Sequence, residues 1–194
     1  MERLVQIDQA ATLWLNTHSP GFLDGVWHFA SGTREWFPLY GLVMGFMIWK
    51  LGWRKGLMAV LALILGVVLS DQLSVLVKEA VMRLRPCRDP WMISKGIRLP
   101  DGPPGGLYGF FSSHASNVFG FASCSWLSLR LNDRKHSYNW YGWCILIWAA
   151  VVSLSRVMVG AHFLGDILAG TVFGILVGTA LALAARLLIV KAKV

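Results

Sequence analysis

The chain has 194 residues, 56% of them hydrophobic and only 14% charged, with ten tryptophans and a formal net charge of +8. Such a balance excludes an ordinary soluble domain and fits one compact multispanning membrane unit over 1–194. Because the basic residues flank apolar stretches and form no soluble patch, the charge argues for membrane orientation and against a nucleic-acid partner.

In chain order, residues 1–16 lack a basic stretch followed by a clean apolar core, so no removable signal peptide is expected. Residues 4–17 alternate at helical spacing, with Asp8 and Gln9 on one side and Leu13, Trp14 and Leu15 on the other. That pattern predicts an amphipathic helix in the membrane interface. Pro20, Asp24 and Gly25 make 19–32 a short kinked element, so the region 1–32 supplies no span.

The bundle then occupies 33–194. Its first apolar stretch, 36–49, covers only roughly 21 Å without charge and needs Lys50 to snorkel. The stretches 56–77 (interrupted by Asp71), 115–129, 139–155 and 167–185 are better spans. The expected fold is therefore all-α, an integral-membrane bundle of about five transmembrane helices plus the N-terminal helix. Between the second and third spans, the Pro- and Gly-rich residues 86–109 read as an irregular loop of functional length. Cys87, Cys124 and Cys144 show no metal-ligand spacing, and Trp140, Tyr141, Trp143 and Trp148 read as interface and packing aromatics.

Five spans put Lys50, Arg54, Lys55, Arg130, Arg134, Lys135, Arg186, Lys191 and Lys193 on one side, against Asp133 alone. The other side holds as many basic residues, but three of them, Lys78, Arg85 and Arg156, are candidates for a chemical task. Setting those aside makes the first side cytoplasmic.

The same parity gathers three clusters on the opposite face: Lys78 with Arg85 and Pro86; Ser112, Ser113 and His114; and Arg156 with His162 and Asp166. Ionisable groups at the edge of a membrane domain are costly to desolvate and point to function. Lys78, Arg85 and Arg156 suit a dianionic phosphate and the charge on its equatorial oxygens during transfer. His162 and Asp166, four apart, would stack on one helix face, the carboxylate orienting the ring so that its other nitrogen can attack. His114 suits the acid that protonates the leaving oxygen. Ser112 and Ser113 precede a helix whose first turn can bind an anion.

Lys78 through Arg85-Pro86, then Ser112-Ser113-His114, then Ser155-Arg156 through His162 and Asp166 resemble the three-part signature K-x6-RP, PSGH and SR-x5-H-x3-D of the type 2 phosphatidic acid phosphatase (PAP2) family. The resemblance implies a helical membrane bundle, a metal-independent phosphohistidine mechanism without cofactor, and a membrane lipid phosphate or diphosphate as substrate. Carried over, the nucleophile falls on His162, its orienting carboxylate on Asp166 and the leaving-group acid on His114. Lys78, Arg85, Ser112 and Arg156 fall on phosphate ligands, with Ser113 beside them. Phe111 and Ser113 stand where the family has Pro and Gly. If that Gly takes a positive φ, Ser113 carries strain on the order of 1 kcal/mol.

Taken singly, most of these residues have plainer readings: a span-end Lys or Arg is usually a snorkelling anchor. His18, His28 and His136 keep a structural reading, and Asp71 is expected to pair with Lys78 or another cation. Arg83, Arg88, Lys95 and Arg98 read as solvated loop charges or as ligands for a larger headgroup. Among substrates lipid A phosphates rank first, because the Ser-Ser-His variant looks similar to small lipid A phosphatases; undecaprenyl diphosphate and phosphatidylglycerol phosphate follow. The expected location is a bacterial inner membrane with the site facing the periplasm. Two competing readings are a phospholipid-binding or transport protein without turnover and a soluble haloperoxidase-like anion site; the apolar spans oppose the latter. Oligomeric state is not legible.

Overall fold

A computed structural model describes residues 2–192. Their regular structure is helical: α1 (Glu2–His18), α2 (Asp24–Ser31), α3 (Phe37–Leu51), α4 (Trp53–Val81), α5 (Pro90–Ser94), α6 (Ser113–Asn132), α7 (Asn139–Met158) and α8 (Leu164–Lys191). Among the described residues no strand forms; a lone antiparallel bridge joins Leu84 to Tyr108.

Helices α4, α7 and α8 are long and apolar enough to cross a membrane. Their outward faces expose Leu61, Val68 and Leu76 of α4, Trp143 and Ile147 of α7, and Val172, Leu176 and Leu187 of α8, apolar surface that a bilayer covers. Helix α3, with 15 residues, is about 22 Å long. Helix α6 is central and serine-rich, and Ser116, Ser123, Ser125 and Ser128 are fully or nearly buried. Three of those hydroxyls return to carbonyls of their own helix: Ser116 Oγ to Ser113, Ser123 Oγ to Phe119 and Ser125 Oγ to Ala122, at 3.0, 2.8 and 3.1 Å. An internal hydroxyl bond costs the helix little and hides the polar group from its neighbours.

Helix α8 lies flush on α6 because Gly170, Gly174 and Gly178 repeat every four residues along one face. A Cβ at Gly170 would sit 2.6 Å from the Ser112 carbonyl oxygen, and side chains at Gly174 and Gly178 would run into the carbonyls of Ser116 and Gly120. The contact brings the first turns of both helices together, and the Ser112 N–H donates to the Asp166 carbonyl at 3.1 Å. On the other side of α6, Tyr40, Phe121 and Trp148 form an aromatic cluster with centroids 4.9–6.0 Å apart.

Helix α1 is amphipathic, and its polar stripe faces inward. Thr12 and Asn16 are fully buried, whereas Leu4, Ile7 and Trp14 are exposed. At the far end of α4 the chain leaves the helix through Met82, the one non-glycine with positive φ (50°) among the described residues. Its N–H closes the helix onto the Lys78 carbonyl at 2.9 Å, and the left-handed turn sends Arg83 and Arg85 across the bundle end.

Candidate active site

Four helix ends and two loops meet at one end of the bundle. Lys78 comes from the last turn of α4, Arg85 from the segment after it, His114 from the first turn of α6 and Arg156 from the last turn of α7. His162 lies in the connection to α8 and Asp166 in the first turn of α8. The Arg85 guanidinium donates to the carbonyls of Tyr108 and Ala161 at 3.2 and 3.5 Å. The Arg156 carbonyl accepts from the N–H groups of Ala161 and His162 at 2.9 and 3.2 Å. Gly109 closes the floor: a Cβ there would lie 2.9 Å from Asp166 Oδ2 and 3.5 Å from His162 Nδ1.

Lys78 donates to Ser113 Oγ, which also bonds Ser74 Oγ at 2.6 Å. Arg156 Nη1 reaches the hydroxyl and the carbonyl of Ser31, and its buried Nε has no partner. Among the described residues Lys78, Arg85 and Arg156 have no carboxylate within ion-pair distance, whereas Arg83 and Arg98 are both paired. Half-buried cations left without counterions form a site for an anion.

His162 and Asp166 do meet, but not as neighbours on one helix face. Helix α8 starts at Leu164, so His162 lies ahead of it, and Asp166 turns back from the third helical position. Its Oδ2 accepts from the Phe163 N–H at 3.0 Å and lies 3.5 Å from His162 Nδ1, longer than a formed hydrogen bond. The opposite ring nitrogen, Nε2, is thereby left for chemistry. Burial is the main cause that pushes the His162 pKa down to about 4; the Arg85 and Arg156 charges add to it and Asp166 opposes. At neutral pH the ring is an uncharged base.

Several expectations change. Ser113 sits in the helical first turn of α6 rather than at a positive φ, so it carries no such strain. Ser112 is buried, and its Oγ caps α6 by accepting from the Ala115 N–H at 3.4 Å. Asp71 forms no ion pair with Lys78 among the described residues; its carbonyl accepts from Ser74 Oγ at 2.7 Å.

Arg83 is not a solvated loop charge. Its two terminal nitrogens hold Asp166 Oδ1 at 2.7 Å and Asp8 Oδ2 at 2.6 Å. Arg98 bonds Asp24 Oδ2 at 2.7 Å and the Ser19 carbonyl at 2.5 Å, while Arg88 and Lys95 are exposed. His28 bonds Asp101 at 2.7 Å and His136 bonds Asp133 at 2.7 Å. His18 Nδ1 donates to the Trp14 carbonyl, 2.9 Å away.

Sequence reasoning overlooked the segment 31–35. Ser31 touches Arg156, and Thr33 Oγ1 lies 3.3 Å from His114 Nε2. Gly32 and Thr33 line two adjoining pockets. One, about 300 Å³, is apolar and runs between α3, α4 and α6, with Tyr40, Ile64, Val67 and Phe121 in its wall and His114 at its end. The other, about 440 Å³, carries the charged or ionisable side chains of Arg156, Arg34, Glu35, His28 and Asp101 in its wall.

Fold and site together define an integral-membrane helical protein with a cluster of cations and histidines at one end of its bundle. The chain matches the PAP2 superfamily over residues 55–188, and it belongs to that superfamily. Two relatives, the lipid A 4'-phosphatases of Bacteroides thetaiotaomicron and Porphyromonas gingivalis, are 32% and 31% identical to it. The alignments cover 90% and 92% of this chain and 75% and 72% of theirs. Among solved structures, the PAP2-type phosphatidylglycerolphosphate phosphatase of Bacillus subtilis superposes with a TM-score of 0.65 at 20% identity, over 95% of this chain and 86% of its own. Aquifex aeolicus LpxE does so with a TM-score of 0.62 at 20% identity, over 90% and 93%. The chain is a bacterial membrane protein and a lipid phosphatase.

Proposed function

We propose that this phosphatase removes a phosphate from a lipid A-type headgroup at the periplasmic face of the inner membrane, through a phosphohistidine on His162. The observation that carries this reading is the set of cations Lys78, Arg85 and Arg156, unpaired and gathered around two imidazoles. A tetrahedral dianion supplies the charge this pocket lacks, and the guanidinium forks and the ammonium match its oxygens.

His162 Nε2 attacks phosphorus while His114, which takes up a proton beside the bound phosphate dianion, gives that proton to the departing lipid oxygen, so the P–O bond breaks and a P–N bond forms. A water then attacks phosphorus and His114 takes its proton; the P–N bond breaks and inorganic phosphate leaves. The cations hold the equatorial oxygens in both steps, which is the charge neutralisation a metal would otherwise provide. Ser112 and Ser113 present the first turn of α6 to the same phosphate.

The paired pockets favour an amphipathic substrate. An acyl chain fits the apolar cavity that His114 lines, and a sugar headgroup fits the one beside Arg156, whose wall carries Arg34, Glu35 and Asp101. In this reading α3, α4, α6, α7 and α8 all cross the bilayer, residues 2–192 act as one unit, and the bilayer carries the substrate to the site. Lipid A is favoured over undecaprenyl diphosphate and phosphatidylglycerol phosphate because it is what the relatives at 32% and 31% identity are named for.

The test is phosphate release by purified protein from these three lipids, with and without chelator. Release is expected to be fastest from lipid A, insensitive to chelator, and reduced at least ~10⁴-fold in His162→Ala. A non-catalytic lipid binder would release no phosphate from any of them while retaining affinity in that variant. Loss of activity with chelator would contradict the metal-free site.

A further inference from the structure

We propose that Asp8 and Arg83 are positioning residues for the reaction, with α1 acting from outside the bundle as the cap that holds His162 and Asp166 in register. The inference rests on the reading of His162 as nucleophile and goes beyond it, since Asp8 and Arg83 line neither of the two pockets and act through Asp166 and the Gly165 N–H.

The first turn of α8 needs acceptors for its free N–H groups. Its own Asp166 takes only that of Phe163. The next two are satisfied by α1: the Leu164 N–H donates to Thr12 Oγ1 at 2.9 Å, and the Gly165 N–H to Asp8 Oδ1 at 2.7 Å. One turn further along the same face, Asn16 Nδ2 donates to the carbonyls of Val157 and Met158 at 3.2 and 2.9 Å. Asp8, Thr12 and Asn16, spaced four apart, thus run along the connection that carries His162.

Arg83 joins this face to the carboxylate. Its guanidinium bridges Asp8 and Asp166 and covers the Phe163 ring at 4.1 Å. With Oδ1 on Arg83 and Oδ2 on the Phe163 N–H, Asp166 has one orientation left, with Oδ2 facing His162 Nδ1. The charge beside the imidazole is then a sum: Asp166 attracts a proton, Arg83 offsets it, and Asp8 offsets Arg83. Arg85, Arg156, Lys78 and His114 complete the groups acting on this site; none of them is changed by a substitution at position 8 or 83.

The signs follow. Removing the positive charge of Arg83 makes the His162–Asp166 pair bind its proton more tightly, so the acidic limb of kcat/KM moves to higher pH. Removing the negative charge of Asp8 moves it to lower pH. In Asp8→Asn the amide oxygen still accepts from the Gly165 N–H, while the Arg83 bond at Oδ2 is lost together with the charge; Arg83 keeps its bond to Asp166 Oδ1. The experiment compares pH profiles of wild type, Asp8→Asn, Arg83→Gln and the double variant in detergent, with Arg83→Lys as the conservative partner.

Arg83→Gln is expected to lower kcat by ~10- to 100-fold with KM within about threefold, and Arg83→Lys to restore part of the loss. Its acidic limb should lie at least ~0.5 pH unit above that of Asp8→Asn, with wild type and the double variant between them. Limbs that do not separate, or that move in the same direction, overturn the proposal, and the Asp8→Asn profile against wild type decides it if Arg83→Gln does not fold. Should His162→Ala remain active, the nucleophile assignment fails instead, whatever the two charge variants do.

Discussion

At the scale of single residues, the proposed site is marked by cations without carboxylate partners. Arg83, only two positions before Arg85, is spent on Asp8 and Asp166, whereas Arg85 donates only to carbonyls and has no carboxylate partner among the described residues. Nothing in the run Arg83-Leu84-Arg85 separates the two by residue type, and a spacing argument finds the second only through its family match. The partner of Arg83 lies 75 residues away at Asp8, beyond the reach of any local pattern. Arg98 was illegible for the same reason.

The pKa of His162, held at about 4 mainly by burial, has a direct consequence. A depressed imidazole pKa leaves the free base in place as pH falls, and activity is lost only when pH drops through the depressed value. The acidic limb of kcat/KM should therefore lie well below the ~6.5 of an ordinary histidine. A limb at or above that value, measured on the wild-type protein, would mean that the ring is not buried as described.

At the scale of elements, the four long helices were legible because their apolar runs are long and bounded by charge, and each expected stretch falls inside the helix found there. The start of α8 was not. A His and an Asp four apart read as one helix face, yet the helix begins between them, because Asp166 caps the Phe163 N–H and terminates it at the N-side. The inward polar stripe of α1 did have a signal, Asp8, Thr12 and Asn16 at four-residue intervals. It shows which residues share a face but not which way that face points.

Two substitutions test the element contacts. Gly174→Val drives methyl groups into the Ser116 carbonyl of α6, and should destabilise the protein by about 3 kcal/mol or prevent folding. Thr12→Val removes the acceptor for the Leu164 N–H at nearly constant volume, and should cost about 1 kcal/mol. Unfolding in detergent measures both; a Gly174→Val protein as stable as wild type would deny the close α6–α8 packing.

At the scale of the whole molecule, bundle and membrane divide the work. The exposed Leu, Ile and Val of α4, α7 and α8 turn to lipid, the small and hydroxyl-bearing residues of α6 turn to protein, and the charged residues lie at the two ends, with Lys78, Arg85, Arg156 and the two histidines together at one of them. That division was readable from composition, since apolar surface on this scale has no other solvent. The pair of pockets was not readable, because the segment 31–35 that borders both looks like an ordinary polar turn until it is folded over Arg156 and His114.

The central claim is that a phosphoryl group rests covalently on His162 between two half-reactions. Rapid quenching of the wild-type protein during turnover of radiolabelled lipid phosphate tests it most directly. The account predicts an acid-labile, alkali-stable label on His162 that is absent from His162→Ala; a label on another residue, or one that persists in that variant, contradicts it.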